Sequence, residues 1–447
     1  MARTKVMSAG NSGFLKFIVL LLPCLLMTFQ AAASDDTDDD IAALLHGSWS
    51  GKLGTGRTEL TIVFNFSTDA DGAFTVTMDS PDQGAEGIAA ELDKDALPAL
   101  SINIPSVFAA YSGMLYRGQI MGTFSQGGMS LPLTLTKGEL VLDRPQTPQP
   151  PFPYNTEEVR FFNAAAGATL SGTLSWPEGC DLSISGGSSE ITGKLPVAVV
   201  MVSGSGLQNR DEEIFGHRPF LVIADWLARH GVASLRYDDR GFGESAGGEL
   251  ESATTEDFMQ DALAAVEFLR NSGRFSKIGV IGHSEGASIA FMLGARGAVD
   301  FVVSLAGLGV RGDKALTAQV NRIMELSGQA GTVSEEMYRQ NARLEGNAWL
   351  NWFIDYDPTD DIASTVCPVM AVNGSKDCQI ISSLNLEAIR AKLPQDSRNL
   401  VKEYDSLNHL FQHCTTGAVT EYRSIEETVS PELLSDLAGW ISDNFQQ

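Results

Sequence analysis

The chain has 447 residues, with 43% hydrophobic and 19% charged side chains, which is enough for two domains and a large buried core. Its formal net charge is −25, and loss of the first 33 residues, which carry three basic side chains and no acidic one, would take it to −28. So acidic a surface argues against nucleic acid or an anionic membrane as a partner, while a neutral small-molecule substrate would feel the field weakly.

Residues 1–33 read as a signal peptide. Arg3, Lys5 and Lys16 form a basic start, Phe17 to Phe29 is mostly apolar, and Ala31-Ala32-Ala33 supplies small residues for cleavage near Ala33. The apolar run is short for a membrane span and holds Pro23, and Leu21-Leu22-Pro23 fits a lipoprotein site at Cys24 poorly. The expectation is an exported protein, periplasmic or secreted, with no stable membrane anchor.

Residues 41–143 form an expected amino-terminal β-domain. Glu59–Phe66, Phe74–Met78, Leu100–Ile104 and Leu131–Leu135 alternate apolar and polar side chains, with turn signals at Asp71-Gly72 and Gly127-Gly128. A small antiparallel β-barrel or sandwich follows from that pattern. Residues 144–155 are proline-rich and read as a semi-rigid linker.

From residue 156 to 447 the pattern becomes that of an α/β domain. A hairpin is predicted from Val159–Phe162 and Leu170–Ser175. Strands are predicted at Val197–Val202, Val232–Tyr237, Ile278–Ile281, Phe301–Leu305, Val369–Val372 and Leu400–Tyr404. Buried runs alternating with helical stretches predict a mostly parallel sheet with helices on both faces. Lys314–Trp352 interrupts the alternation, so a small helical cap is expected over about 312–354.

Gly282-His283-Ser284-Glu285-Gly286 lies between the apolar run Lys277–Ile281 and the small-residue stretch Ala287–Ala295. Strand, sharp turn with a serine, then helix is the nucleophile elbow of an α/β-hydrolase fold. Gly243-Glu244-Ser245-Ala246-Gly247 matches the same pentapeptide, yet it follows a polar turn and lacks a helical pattern behind it. Ser284 is therefore the expected nucleophile and Ser245 a loop residue.

A serine hydroxyl needs a base to take its proton, and in this fold the acid and then the histidine follow the serine in sequence. Of six histidines only His409 and His413 lie beyond Ser284, and His409 follows the last predicted strand. Asp377, in the loop leaving Val369–Val372, is the expected acid, with Asp355, Asp357, Asp360 and Asp361 as alternatives. The oxyanion hole is expected from the backbone N–H groups of Glu285 and Ser205, with Gly206 and Leu207 as neighbours of Ser205 that could serve instead. Arg210, Asp211, Asp238, Asp239 and Arg240 read as an ion-pair network bracing loops, with substrate binding as the alternative. Cys180, Cys367, Cys378 and Cys414 lack CxxC spacing, which disfavours zinc, and Cys378–Cys414 is the first choice for a disulfide, against free buried thiols.

These motifs resemble those of the α/β-hydrolase superfamily of serine esterases, and more narrowly of EstD-like bacterial carboxylesterases. The resemblance rests on residues 202–212, 236–241, 282–286 and 407–412, with a closing Ile425-Glu426-Glu427-Thr428-Val429-Ser430-Pro431. Leu207-Gln208-Asn209 departs from the Pro-Gln-Asp of that group. The resemblance implies Ser284, Asp377 and His409 as nucleophile, acid and base of carboxylic-ester hydrolysis through an acyl-enzyme, with no metal or organic cofactor. The expected substrate is a small ester of short to medium acyl chain. A peptidase, amidase or acyltransferase on the same machinery is the alternative, and a non-catalytic binding protein a further one. The sequence sets no oligomeric state.

Overall fold

Strands that alternate apolar and polar residues can hide their apolar faces by closing on themselves, and the amino-terminal unit does so. The computed structural model describes residues 43–54, 59–68, 73–83, 85–93, 99–138, 144–179 and 195–446. The expected signal peptide, Cys24, the turn at Asp71-Gly72 and Cys180 lie outside the described residues. The chain divides into two units, Met1–Val141 and Leu142–Gln447.

In the first unit the strands are β1 Gly47–Gly54, β2 Glu59–Thr68, β3 Phe74–Ser80, β4 Ala85–Leu92, β5 Ala99–Ile104, β6 Ala109–Tyr116, β7 Gln119–Gln126 and β8 Met129–Lys137. They pair in chain order, and β8 returns to β1, which makes a closed antiparallel barrel rather than a sandwich. A barrel of this size is filled by its own side chains: Trp49, Phe64, Phe66, Ile102, Tyr111 and Leu135 pack its interior. Tyr111 needs unusual room. A Cβ on Gly113 or Gly122, which face each other across β6 and β7, would lie 2.7 Å or 2.6 Å from its hydroxyl oxygen.

The second unit holds β9 Tyr154–Asn163, β10 Ala168–Pro177, β11 Leu195–Val202, β12 Ala233–Tyr237, β13 Ala246–Gly247, β14 Phe275–His283, β15 Phe301–Leu305, β16 Val369–Gly374 and β17 Leu400–Tyr404. The order β12-β11-β14-β15-β16-β17 is parallel throughout, and β10 adds antiparallel to β12 with β9 and β13 beside it. Its helices are α1 Pro219–Arg229, α2 Thr255–Asn271, α3 Glu285–Ala295, α4 Gly312–Leu326, α5 Glu335–Glu345, α6 Ala348–Phe353, α7 Thr359–Ser364, α8 Ser382–Lys392 and α9 Pro431–Phe445.

Side chains of a strand alternate between faces, and both faces of this sheet are covered. Ala198, Val200 and Val202 of β11 pack with Met259, Ala262 and Val266 of α2, while Val197, Val199 and Met201 pack with α1 and α9. The chain runs from β11 outward to β12, then crosses back to β14. That reversal opens a crevice at the carboxyl ends of β11 and β14, the place where open α/β sheets bind ligands. Val202 and Gly282 are register partners there.

Residues 144–153 are not a free spacer. Arg144 donates to the carbonyls of Ile425, Phe215 and Arg423 at 2.7–2.9 Å, and Gln146 donates to that of Val429 at 2.7 Å. His217 holds the same carboxy-terminal segment from inside. It is fully buried, with Nε2 donating to the Tyr422 carbonyl and Nδ1 accepting from the Thr428 hydroxyl, each at 2.9 Å.

Burial lowers the His217 pKa from 6.5 to about 4. The unfolded chain therefore binds a proton near pH 6.5 that the folded chain refuses until about pH 4. Stability is unaffected above that window and falls as pH drops through it, by roughly 3 kcal/mol at the acid end. Urea unfolding at pH 7 and pH 4.5 should show a shallower loss in His217→Gln than in the wild type. An equal loss in both would refute the assignment.

Candidate active site

β14 ends at His283, and the next residue, Ser284, adopts φ 55°, ψ −113° before α3 begins. A non-glycine residue with positive φ carries strain of order 1–3 kcal/mol, which surrounding structure must hold. Here the Ser284 N–H donates to the Leu305 carbonyl at 2.8 Å, and its carbonyl accepts from the Ala287 N–H at 3.1 Å. The flanking glycines are obligatory: a Cβ on Gly282 would lie 2.0 Å from the Gly286 carbonyl oxygen, and one on Gly286 2.1 Å from that of Val202. The turn presents Ser284 at the positive end of α3.

Ser245 is placed differently. Its hydroxyl donates to the Asp238 carbonyl at 2.7 Å and accepts the Ser171 N–H at 2.9 Å, and the residue is buried. Both hydrogen-bonding roles are filled by the backbone of the sheet edge.

His409 lies in the loop after β17, and its Nδ1 donates to Asp377 Oδ2 at 2.8 Å. Asp377 lies just beyond β16, and its other oxygen accepts the N–H groups of Gln379 and Ile380, each at 2.8 Å. Three donors thus fix the carboxylate, and the carboxylate fixes the imidazole tautomer that leaves Nε2 as the basic nitrogen. Asn408, fully buried, shapes the histidine's loop by accepting the N–H groups of Leu410 and Gln412 at 3.0 Å. The alternative acids are engaged elsewhere: Asp355 with Arg339 and Arg343, Asp357 with Thr359, Asp361 with Tyr356. Asp360 sits in the first turn of α7. His413 is exposed and bonded to Glu427 at 2.8 Å.

The turn after β11 packs directly on the elbow, since a Cβ on Gly204 would be 3.3 Å from that of Ser284. Gly204 N–H is already given to Glu212 Oε1 at 2.7 Å. The N–H groups of Ser205 and Glu285 donate to no protein acceptor among the described residues. The Glu285 carboxyl accepts from Thr255 at 2.6 Å and from Trp349 Nε1 at 2.7 Å. Burial nevertheless raises the Glu285 pKa above its ordinary value, and burial pushes Asp239 beside the same turn up to about 8. Both carboxyl groups are thereby biased toward the neutral form next to the place where an oxyanion would develop.

The five charged loop residues divide by role. Arg210 clasps Asp238 in a bidentate pair at 3.1 and 2.8 Å, Asp211 pairs with Arg236, and Arg240 pairs with buried Asp261 at 2.6 Å. Those contacts brace loops. Asp239 instead accepts Gln208 N–H at 2.8 Å and the Ser203 hydroxyl, so it holds the oxyanion-side turn.

The expected cap is formed by α4, α5 and α6, and Trp349 of α6 reaches the first residue of α3 through Glu285. The expected Cys378–Cys414 disulfide is not formed. Cys367, Cys378 and Cys414 are free thiols, with Cys378 buried and Cys414 Sγ directed at the Ser406 carbonyl. Burial pushes the Cys378 and Cys414 thiols up to about 12 and about 11. Sequence reading did not single out Glu212, His283 or Trp349. Only the histidine inside the elbow and the Arg-Asp-Glu run at 210–212 hinted at them.

Among the described residues no helix is long and apolar enough to cross a membrane, and no group of His, Cys, Asp and Glu is arranged to hold a metal ion. The pattern of the serine aminopeptidase S33 family matches residues 218–335, which include Ser284 but stop short of Asp377 and His409. The chain is 28% identical to esterase EstD of Thermotoga maritima over 248 residues, 52% of this chain and 59% of that relative's length. Among solved structures, a Pyrococcus furiosus esterase aligns with a TM-score of 0.45 at 16% identity, covering 69% of this chain and all of that one. Est1E of Butyrivibrio proteoclasticus, solved with ferulic acid bound, aligns with a TM-score of 0.42 at 19% identity over 63% of this chain and 99% of that one. The chain carries an α/β-hydrolase-like domain, a mostly parallel sheet covered by helices, preceded in sequence by a closed antiparallel β-barrel domain.

Proposed function

We propose that this protein is an exported serine carboxylesterase, of the EstD-like kind, that cleaves short- to medium-chain carboxylic esters through an acyl-enzyme on Ser284. The observation that carries the reading is the Asp377–His409 pair beside a strained elbow serine, with unengaged N–H groups at Ser205 and Glu285. Export is supported by the basic and apolar character of residues 1–33.

In the first half-reaction Ser284 Oγ adds to the ester carbonyl while His409 Nε2 takes the hydroxyl proton. Asp377 stabilises the resulting imidazolium and does not itself become protonated. The Ser205 and Glu285 N–H groups receive the oxyanion, each such donor being worth about 3–4 kcal/mol in related chemistry. Collapse expels the alcohol, which takes the proton from His409. Water then adds to the acyl-enzyme with His409 again as base, releasing the acid and free Ser284. Trp349 of the cap, bonded to Glu285 beside the elbow and stacked on Phe353, offers an aromatic ring that suits an acyl chain. An amide-cleaving role on the same residues is the second reading, favoured by the serine aminopeptidase pattern over residues 218–335.

Hydrolysis of p-nitrophenyl acetate and butyrate tests the proposal. The wild type should turn both over, Ser284→Ala should lose at least about 1,000-fold in kcat, and a wild type active only on amides would shift the assignment to the second reading. Asp377→Asn should fold normally and lose roughly 1,000-fold or more in kcat, because the His409 tautomer is no longer fixed. Ser245→Ala should keep its kcat and lose about 1–3 kcal/mol of stability in urea unfolding, since the Ser171 N–H is left without its acceptor. Loss of turnover in Ser245→Ala with stability intact would reverse the two serines' roles.

A further inference from the structure

His283 and Glu212 form a buried pair for which the serine, histidine and aspartate chemistry has no direct use. They are 6% and 5% exposed, and the surrounding walls include Phe220, Ile223, Leu305 and Leu410. His283 Nδ1 lies 2.8 Å from Glu212 Oε1, and His283 Nε2 lies 3.0 Å from the main-chain carbonyl oxygen of His409. A carbonyl oxygen can only accept, so Nε2 carries a hydrogen. Glu212 Oε1 also accepts the Gly204 N–H, the role of a carboxylate oxygen. With Oε1 acting as a carboxylate acceptor, both ring nitrogens donate and His283 is the imidazolium member of the pair. Although burial opposes the charge, the Glu212 carboxylate, the His409 carbonyl and Asp377 together raise the His283 pKa above its ordinary value.

The backbone is bent to permit this. Glu212 has φ 52° and Phe411, two residues beyond His409, has φ 59°, both in the left-handed region that non-glycine residues seldom occupy. Strain of that kind at a site points to a functional constraint. The His283 ring also lies against the His409 ring, with centroids 4.6 Å apart at 45°.

We propose that Glu212 and the His283 imidazolium are a positioning pair for the hydrolysis put forward above, tying the general base and the oxyanion turn to the nucleophile in one register. One end of the pair grips the His409 main chain, the other grips Gly204, and the ring between them belongs to the residue preceding Ser284. The inference rests on the esterase reading. Its electrostatic consequence is balance: the four groups Glu212, His283, Asp377 and His409 carry one excess negative charge at rest and become neutral when His409 takes the serine proton. Loss of the Glu212 charge removes the main group that holds His283 protonated, and with it the hold of the ring on Gly204.

The test uses wild type, Glu212→Gln, His283→Gln and the double variant, each labelled to completion with a fluorophosphonate so that kcat is expressed per reactive serine. Glu212→Gln should lower kcat per site by roughly 10- to 100-fold with KM for p-nitrophenyl butyrate changed by less than about threefold. The double variant should be no slower than Glu212→Gln, because the pair acts as a unit. An unchanged kcat per site, with only thermal stability reduced, overturns the proposal. If the wild type neither labels nor turns over, the esterase reading itself fails, and this inference with it. Nitrogen-15 histidine spectra of the wild type give an answer that needs no folded variant. His283, assigned through its contact with His409, should keep protons on both ring nitrogens at pH 6.5, the ordinary imidazole midpoint; a bare ring nitrogen there overturns the proposal.

Discussion

No side chain fits between the first turn of α3 and the end of β11, and the active site depends on that constraint. Gly286 allows the helix to start against the Val202 carbonyl, and Gly282 allows the elbow to fold back over it. Because the backbones touch, the turn after β11 is delivered to Ser284 without any mobile connection. The N–H groups of Ser205 and Glu285 then belong to two rigid elements held face to face, which is the condition for preorganised stabilisation of an oxyanion.

From that contact the rest of the catalytic unit radiates. The crossing of the chain between β12 and β14 opens the crevice, β16 and β17 bring Asp377 and His409 to its rim, and Glu212 with His283 bolts the rim to the floor. Carboxyl groups at the site are sorted by environment. Asp377 is bound by three N–H donors, whereas burial raises the Glu285 pKa above its ordinary value and that of Asp239 to about 8.

Much of the α/β unit was legible in the sequence because strands buried on both faces appear as unbroken apolar runs, as in Val197–Val202 and Phe301–Leu305. Ser284 was separable from Ser245 by the strand before it and the helix after it. The barrel was less legible. β4 and β6 contain Ala85, Ala89, Ala90, Ala109 and Ala110, residues with little strand preference, and closure of the sheet rather than local propensity recruits them. The Glu212–His283 pair spans 71 positions and has no local signature. Nearness in sequence also misled, since Cys378 and Cys414 flank the acid and the base yet remain free thiols, and a disulfide requires matched Cβ geometry.

The central claim is that Ser284 is the group that attacks the substrate. Treating the protein with a fluorophosphonate, digesting it and locating the adduct by mass spectrometry tests that claim most directly. The account predicts a single adduct on the peptide containing Gly282–Gly286. An adduct on the Ser245 peptide, or ester turnover that persists without any adduct on Ser284, would contradict it.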